Sequence, residues 1–397
     1  MKVSGIICEY NPFHNGHLYH IRRTRENGAT HIVAVMSGNF VQRGDTAIMD
    51  KLERARLAVR SGADLVIELP VQYSLASAEN FASGAVHLLD ALGAVDELSF
   101  GSECGDTEKL RRAMETVDLA ATTRAEEIRR IMEKGYTYPR ALNSVVNGYD
   151  PEAAAIIAEP NNTLAVEYLR ALKKSGSSMV PFTVMREKAG HDSRAVEGAF
   201  ASASMLRELI DVGENIDGFT TKEWAAAVAS AAEKGETASI GRLERVILYK
   251  LRTCTVEEIA DICDVGQGLE HRIYGARMAG SLDELLFTVK TKRYTMARIR
   301  RIMLALLIGI TKGDMEQLPP YGRILAFNER GREILARAKE SAKIPFGSSI
   351  AKLSQLGDVA ERFAELEIRA SDIYGLALET VTSAQKDYRA KIMIDME

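Results

Sequence analysis

Val3-Ser4-Gly5-Ile6-Ile7-Cys8 runs through Glu9-Tyr10-Asn11-Pro12-Phe13 into His14-Asn15-Gly16-His17, and this stretch decides the fold. The apolar run predicts a buried strand, Asn11-Pro12 a turn, and the histidine pair the head of a helix. Helix N-termini offer unpaired N–H groups and a partial positive charge. Imidazoles at i and i+3 add donors on the same face. Gly16 removes the side chain that would keep a purine ring from the backbone. The arrangement suits ATP held with its α-phosphorus open to attack. A lone histidine is more often structural; two at this spacing directly after a first strand favour nucleotide. Zinc on His14, His17 and His20 is disfavoured, because spacing by three twice turns His20 off the shared face and no Cys or carboxylate partner is evident. No metal site is expected.

Working outward, strands are predicted at 3–8, 31–36, 65–69, 97–100 and 179–185, with helices at 16–26, 50–61 and 76–92 between them. These strands are too apolar for one-sided burial, so the first half is read as an α/β, doubly wound, Rossmann-like parallel sheet. A helical insertion is expected at 107–149. Beyond about residue 217 helical patterns dominate, with one strand-like piece at 323–327. The expected division is a nucleotidyltransferase-like domain, 1–217, followed by a mainly helical domain, 218–397.

With 397 residues, 46% apolar and 27% charged, the chain has ordinary globular composition. A net charge of −4 confines any nucleic-acid surface to a local patch. The longest apolar run, 302–310, has nine residues, well below the ~20 of a membrane span. Met1-Lys2-Val3-Ser4 leads straight into a strand without signal-peptide layout. Four scattered cysteines without a CxxC pair suggest reduced thiols. A cytoplasmic location follows, with no membrane and no protein partner implied.

Ser202-Ala203-Ser204 reads as the cap of a helix carrying Arg207, placed to reach phosphate. Gln42 and Arg43, after the second strand, are placed toward the cleft, and Arg43-Gly44-Asp45 as an adhesion motif is chance. Lys51 and Arg54 are read as a solvated helix face. From 285 to 312 there are seven basic residues, Lys290, Lys292, Arg293, Arg298, Arg300, Arg301 and Lys312, and no acidic one. That asymmetry suggests a polyanion surface, with Tyr294 placed to stack on an unpaired base. The bland alternative is an amphipathic helix whose polar face is incidentally basic.

The paired histidines resemble those of the HxGH nucleotidyltransferases, relatives of class I aminoacyl-tRNA synthetases, although no KMSKS-like loop is evident. GIICEYNPFHNGHLYH (5–20), MSGNFVQRGD, DLVIELP, FGSE, EPNN, GLEHRI and VKTKRYT together resemble, in order and over nearly the full chain, the bacterial tRNA(Met) cytidine acetate ligase family. The resemblance implies an enzyme that activates acetate with ATP and acetylates the wobble cytidine of elongator tRNA(Met). It implies His14 and His17 as catalytic residues. It also implies an ATP-wrapping segment of Ile7, Cys8, Glu9, Tyr10, Asn11, Pro12, Phe13, His14, Asn15, Gly16, His17, Leu18, Tyr19 and His20. Gly101, Asn161 or Asn162, and Arg186 are further implied ATP contacts, beside Ser204 and Arg207. Lys290, Lys292, Arg293, Tyr294, Arg298, Arg300 and Arg301 are the RNA candidates. Cys8, where an aliphatic residue is expected, is read as a small buried hydrophobe. Mg²⁺ is expected with the nucleotide, without a protein cage.

The chemistry fits, since acetate becomes an acylating agent only once its oxygen leaves as AMP. No residue is assigned as base for the cytidine amine. The rival readings are a small-molecule nucleotidyltransferase of cofactor biosynthesis and a non-catalytic, nucleotide-responsive RNA-binding protein.

Overall fold

A computed structural model describes residues 1–186, 200–266 and 268–394. Its strands are β1 (Val3–Cys8), β2 (His31–Ser37), the hairpin β3 (Phe40–Val41) and β4 (Asp45–Thr46), β5 (Leu65–Leu69), β6 (Glu97–Ser102), β7 (Val180–Met185), β8 (Gly322–Phe327), β9 (Phe346–Gly347) and β10 (Met393–Ile394). The main sheet runs β10-β8-β5-β2-β1-β6-β7, with β9 paired to β8. β5, β2, β1, β6 and β7 are mutually parallel, as their uniformly apolar runs require. After β1 the chain winds outward to β2 and β5, then returns to place β6 on the other side of β1. The switch point therefore lies between the carboxyl ends of β1 and β6, where such sheets bind ligands.

Helices α1 (Asn15–Glu26) and α2 (Lys51–Arg60) belong to one face. Ile6, Ile32, Ala34, Leu57 and Ala58 fill the core beneath them. Helices Ala78–Ala91 and Pro160–Ser175 cover the other face, on Val33, Val35, Leu89 and Leu169. Between β6 and β7 the insertion forms helices Thr107–Thr123, Ala125–Glu133, Tyr138–Asn147 and Pro151–Ala158. A separate helical core gathers Leu248, Leu285, Ile299, Ile302 and Tyr374. Among the described residues no helix is long and apolar enough to cross a membrane.

Two expectations need correction. A boundary at 217 does not separate sheet from helices, because β8, β9 and β10 come from the last third of the chain and β8 joins β5 antiparallel. Residues just past 217 also brace the histidine loop. Asn15 N–H donates to Phe219 O (2.9 Å), Thr220 Oγ1 donates to Phe13 O (2.8 Å), and Trp224 stacks on Phe13 at 5.5 Å.

Nor are Lys51 and Arg54 solvated, being 1% and 0% exposed. Lys51 Nζ pairs with Glu68 (2.6 Å), Asp387 (2.8 Å) and Glu367 (3.3 Å), while Arg323 pairs with Glu68 (3.0 Å) and Asp387 (2.7 Å). Arg54 donates to the carbonyls of Glu9 (2.6 Å), Ser37 (3.0 Å), Met49 (3.0 Å) and Gly38, drawing together the ends of β1 and β2. Their partners lie far away in sequence or are main-chain oxygens, which local patterning does not reveal.

Candidate nucleotide-binding site

His14 is the N-cap of α1, and the cap uses both imidazoles. Gly16 N–H donates to His14 Nδ1 (3.1 Å), and His14 N–H donates to His17 Nδ1 (3.2 Å). A backbone N–H can only donate, so both Nδ1 atoms are acceptors and each neutral ring carries its proton on Nε2. The rings stack at 3.7 Å between centroids. Tyr10 and Phe13 pack on His17 at 5.0 and 5.4 Å.

Burial, then Arg186, lowers His14 to about 4. His17 is driven well below its ordinary value by burial, then by His14, Arg186 and His20. The pair is thus neutral at physiological pH, presenting two oriented donors at a helix N-terminus. Such a site receives anionic oxygen without first losing a proton.

Gly16 serves this geometry differently from the sequence reading. A Cβ there would lie 2.9 Å from His14 Cε1, so the missing side chain makes room for the imidazole. His20 turns to Ser99 Oγ of β6 (2.9 Å), and burial, then Arg186, lowers it to about 4.

Most other side chains of 7–20 are engaged within the protein. Ile7 and Leu18 pack against the cores, and Cys8 is buried, its thiol pushed up by burial. Asn11 holds Thr46 O and Ile48 N–H, and Pro12 follows it through a cis bond. Asn15 Nδ2 donates to Gly218 O, and Tyr19 packs edge-on against Phe200. Glu9, at the end of β1, accepts from Gln42 N–H (2.8 Å), and burial raises its carboxyl.

Across the switch point, Arg186 N–H donates to Ser102 O, extending β7, and a Cβ on Gly101 would lie 3.3 Å from Arg186 Cγ. Asn162 Oδ1 accepts from the N–H groups of Glu103 (2.9 Å) and Cys104 (3.1 Å). Glu103 in turn accepts from Asn161 Nδ2 (2.5 Å) and from Asn162 N–H (2.8 Å). FGSE and EPNN therefore clamp one another beside Gly101. Ser202 caps the helix Ala203–Asp211. From it, Arg207 donates to Asn11 O (2.8 Å) and Ser204 Oγ (3.3 Å), beside the histidine loop.

The basic stretch lies around the helix Met296–Ile308. Lys290 and Lys292 are exposed, and Arg293 and Arg300 are partly buried. Arg298 donates to Asp264 O (2.6 Å), and Arg301 donates to Gln42 O and Asp264 Oδ2 (both 3.2 Å). Tyr294 is only 7% exposed, tucked under Arg293 and Arg298, which corrects the expectation of a ring free to stack. The exposed aromatic is Phe287, 66% accessible, with Lys290 Nζ 5.8 Å from its ring centre. Its signal was present in sequence: Leu282, Leu285, Leu286 and Val289 form the buried stripe of their helix, and Phe287 falls off it.

Fold and site define a nucleotidyl transferase of the paired-histidine class. A family model described as HIGH Nucleotidyl Transferase matches residues 1–389. The tRNA(Met) cytidine acetate ligase of Thermoanaerobacter sp. (strain X514) is 39% identical, covering 98% of each chain. That of Acetivibrio thermocellus is 38% identical, covering 94% of each. The crystal structure of apo Thermotoga maritima TmcAL superposes with a TM-score of 0.91 at 30% identity, covering 100% of both chains. Its form bound with alpha-thio ATP gives 0.90 at the same identity and coverage. The chain belongs to the HIGH nucleotidyl transferase family and, within it, to the tRNA(Met) cytidine acetate ligases.

Proposed function

We propose that this protein uses ATP to activate acetate and transfers the acetyl group to the N4 amine of the wobble cytidine in elongator tRNA(Met). The observation carrying this reading is the pair of Nε2–H imidazoles at the head of α1, beside Arg186 and Arg207. Acetate oxygen attacks the α-phosphorus, and pyrophosphate leaves, giving acetyl-AMP. His14 and His17 donate to phosphate oxygens as charge concentrates on the crowded phosphorus, a gain larger in the transition state than before it. The cytidine amine then attacks the acetyl carbon, the bond to AMP oxygen breaks, and the amine gives up a proton.

Gly101, Asn161, Asn162, Ser204 and the backbone of 7–20 are the further groups assigned to ATP. Mg²⁺ accompanies nucleotide phosphates in general. The groups described here, N–H donors and guanidinium ions, suit anions and not a cation, so no step is derived through the metal. Lys290, Lys292, Arg293 and Arg300, with Phe287, are the groups assigned to tRNA. Reduced cysteines, all four being free, and a tRNA substrate fit a cytoplasmic enzyme.

The test is incubation with ATP, labelled acetate and tRNA(Met), followed by mass analysis of the nucleosides. N4-acetylcytidine formed together with AMP and pyrophosphate is the expected result. Nucleotidyl transfer to a small phosphorylated acceptor without acetate would replace this reading with cofactor synthesis. RNA binding without turnover would replace it with a non-catalytic role.

A further inference from the structure

The β3–β4 hairpin stands between the paired-histidine cleft and the basic helix, and its turn is bonded to both. Gln42 N–H donates to the Glu9 carboxylate at the end of β1, while Gln42 O accepts from Arg301 of the helix Met296–Ile308. Gly44 seats the turn on that helix. Its φ is +72°, and a Cβ there would lie 2.6 Å from Arg301 N and 2.7 Å from Arg300 Cβ. Arg43, between these two residues, is exposed, and its Nη1 reaches Ser204 Oγ (3.3 Å), the hydroxyl that Arg207 also contacts.

Three guanidinium groups therefore lead outward from the cleft: Arg207 inside, Arg43 on the turn, and Arg300 beyond Gly44. Arg300 Nε is buried without a hydrogen-bond partner among the described residues. Carboxylates flank this track, with Glu9 on the cleft side and Asp45 within the charge fields of both Arg207 and Arg300. A triphosphate would meet those carboxylates with several negative charges. A phosphodiester brings one, and it can lie along an outward-leading track. Resting on the acetylation reading above, we propose that Arg43 holds a backbone phosphate of the RNA next to the nucleotide being modified, so that an unpaired RNA segment enters the cleft across the Gln42–Gly44 turn. The cationic surface and the cleft are then one continuous site whose joint is the hairpin.

Arg43→Ala is an exposed change that leaves the fold intact, and Arg43→Lys keeps the charge without the fork. In steady-state acetylation of tRNA(Met), Arg43→Ala is expected to lower kcat/KM for RNA by roughly 10- to 100-fold, the scale of a hydrogen bond to a charged group. KM for ATP should stay within about twofold, since the lost hydrogen bond belongs to the RNA contact alone. The slope of log(kcat/KM) for RNA against log salt should flatten by about 0.7, one single-strand phosphate contact. Arg43→Lys should restore much of the loss and the original slope. A rise in KM for ATP matching or exceeding the RNA effect would assign Arg43 to the nucleotide and overturn the proposal, as would an unchanged RNA term. Failure of the parent protein to acetylate RNA would instead overturn the reading beneath it.

Discussion

At the carboxyl ends of β1 and β6 the protein buries imidazoles beside an arginine, and at those of β2 and β5 it buries a lysine and an arginine among three carboxylates. In the second cluster the charges answer one another. Against burial, Asp387, Glu68 and Glu367 hold Lys51 above its ordinary value, and Lys51 and Arg323 hold Asp387 well below its own. Burial, then Glu68, pushes Glu367 up to about 8. In the first cluster burial wins, the imidazoles stay neutral, and their Nδ1 atoms are satisfied while Nε2–H remains to be used. Buried ionisable groups mark function where a donor is left oriented and unspent. Where every charge is paired they mark attachment, here of the helix Asp358–Ala377 and the segment around Asp387 to the sheet.

Lys51→Met tests the attachment most severely. It leaves three carboxylates with one cation, and removing one partner of a buried pair costs about 3–5 kcal/mol. Urea unfolding should show that loss, while the folded variant binds ATP as the parent does. A change below about 1 kcal/mol would mean the cluster is held by packing instead. His17→Ala probes the other cluster. It should lower kcat by roughly 10²–10³, the effect of losing one transition-state donor, with RNA affinity kept. Its stability loss should stay near the ~0.5–2 kcal/mol of a helix cap. An unchanged kcat would remove the histidines from the chemistry.

The same contrast explains what could be read from the sequence. The strand before the histidines, the helix after them and the parallel sheet all follow from local periodicity, and the structure has them nearly where expected. Each Nδ1 acceptor is satisfied by a backbone N–H two or three residues away, so the cap is local too. The ion cluster joins Lys51 to residues more than 300 positions later, and no local pattern carries that pairing. One sign was available: Glu68 sits inside Leu65–Leu69, a strand buried throughout, where a carboxylate demands a partner. Tyr294 was misjudged because aromatic-among-cations describes a ring packed under arginines as well as one offered to a base. The boundary at 217 failed because β8 is short and lies among helices, while its sheet partner β5 is remote in the chain.

Gly16→Ala sharpens the comparison at smaller scale. The new Cβ would force the His14 ring to turn, losing the hydrogen bond from Gly16 N–H that fixes its tautomer. The loss of one such bond is worth about 1 kcal/mol, so kcat should fall roughly 5- to 10-fold with KM for RNA unchanged. Nitrogen NMR of His14 should show Nδ1 no longer uniformly an acceptor. A variant with parental kcat would mean that ring orientation is set elsewhere.

The mildest test is pH, because the two clusters are linked to protons with opposite signs. His14 and His20 fall from 6.5 to about 4 in the folded protein, and His17 falls further. Between those limits the unfolded chain takes up protons that the native state refuses, so stability drops as pH falls from 6.5 toward 4. Glu367 does the reverse, rising from 4.5 to about 8. Its native state keeps a proton the unfolded chain releases, so its contribution is full below 4.5 and is lost as pH rises through 8. Glu9 and Asp45, also raised by burial, add to that second limb. Unfolding free energies across this range should show His20→Asn flattening the acid limb alone and Glu367→Gln flattening the limb above 6.5 alone. If either variant flattened both limbs equally, the two clusters would titrate as one unit, and the division between spent and unspent donors would lose its physical basis.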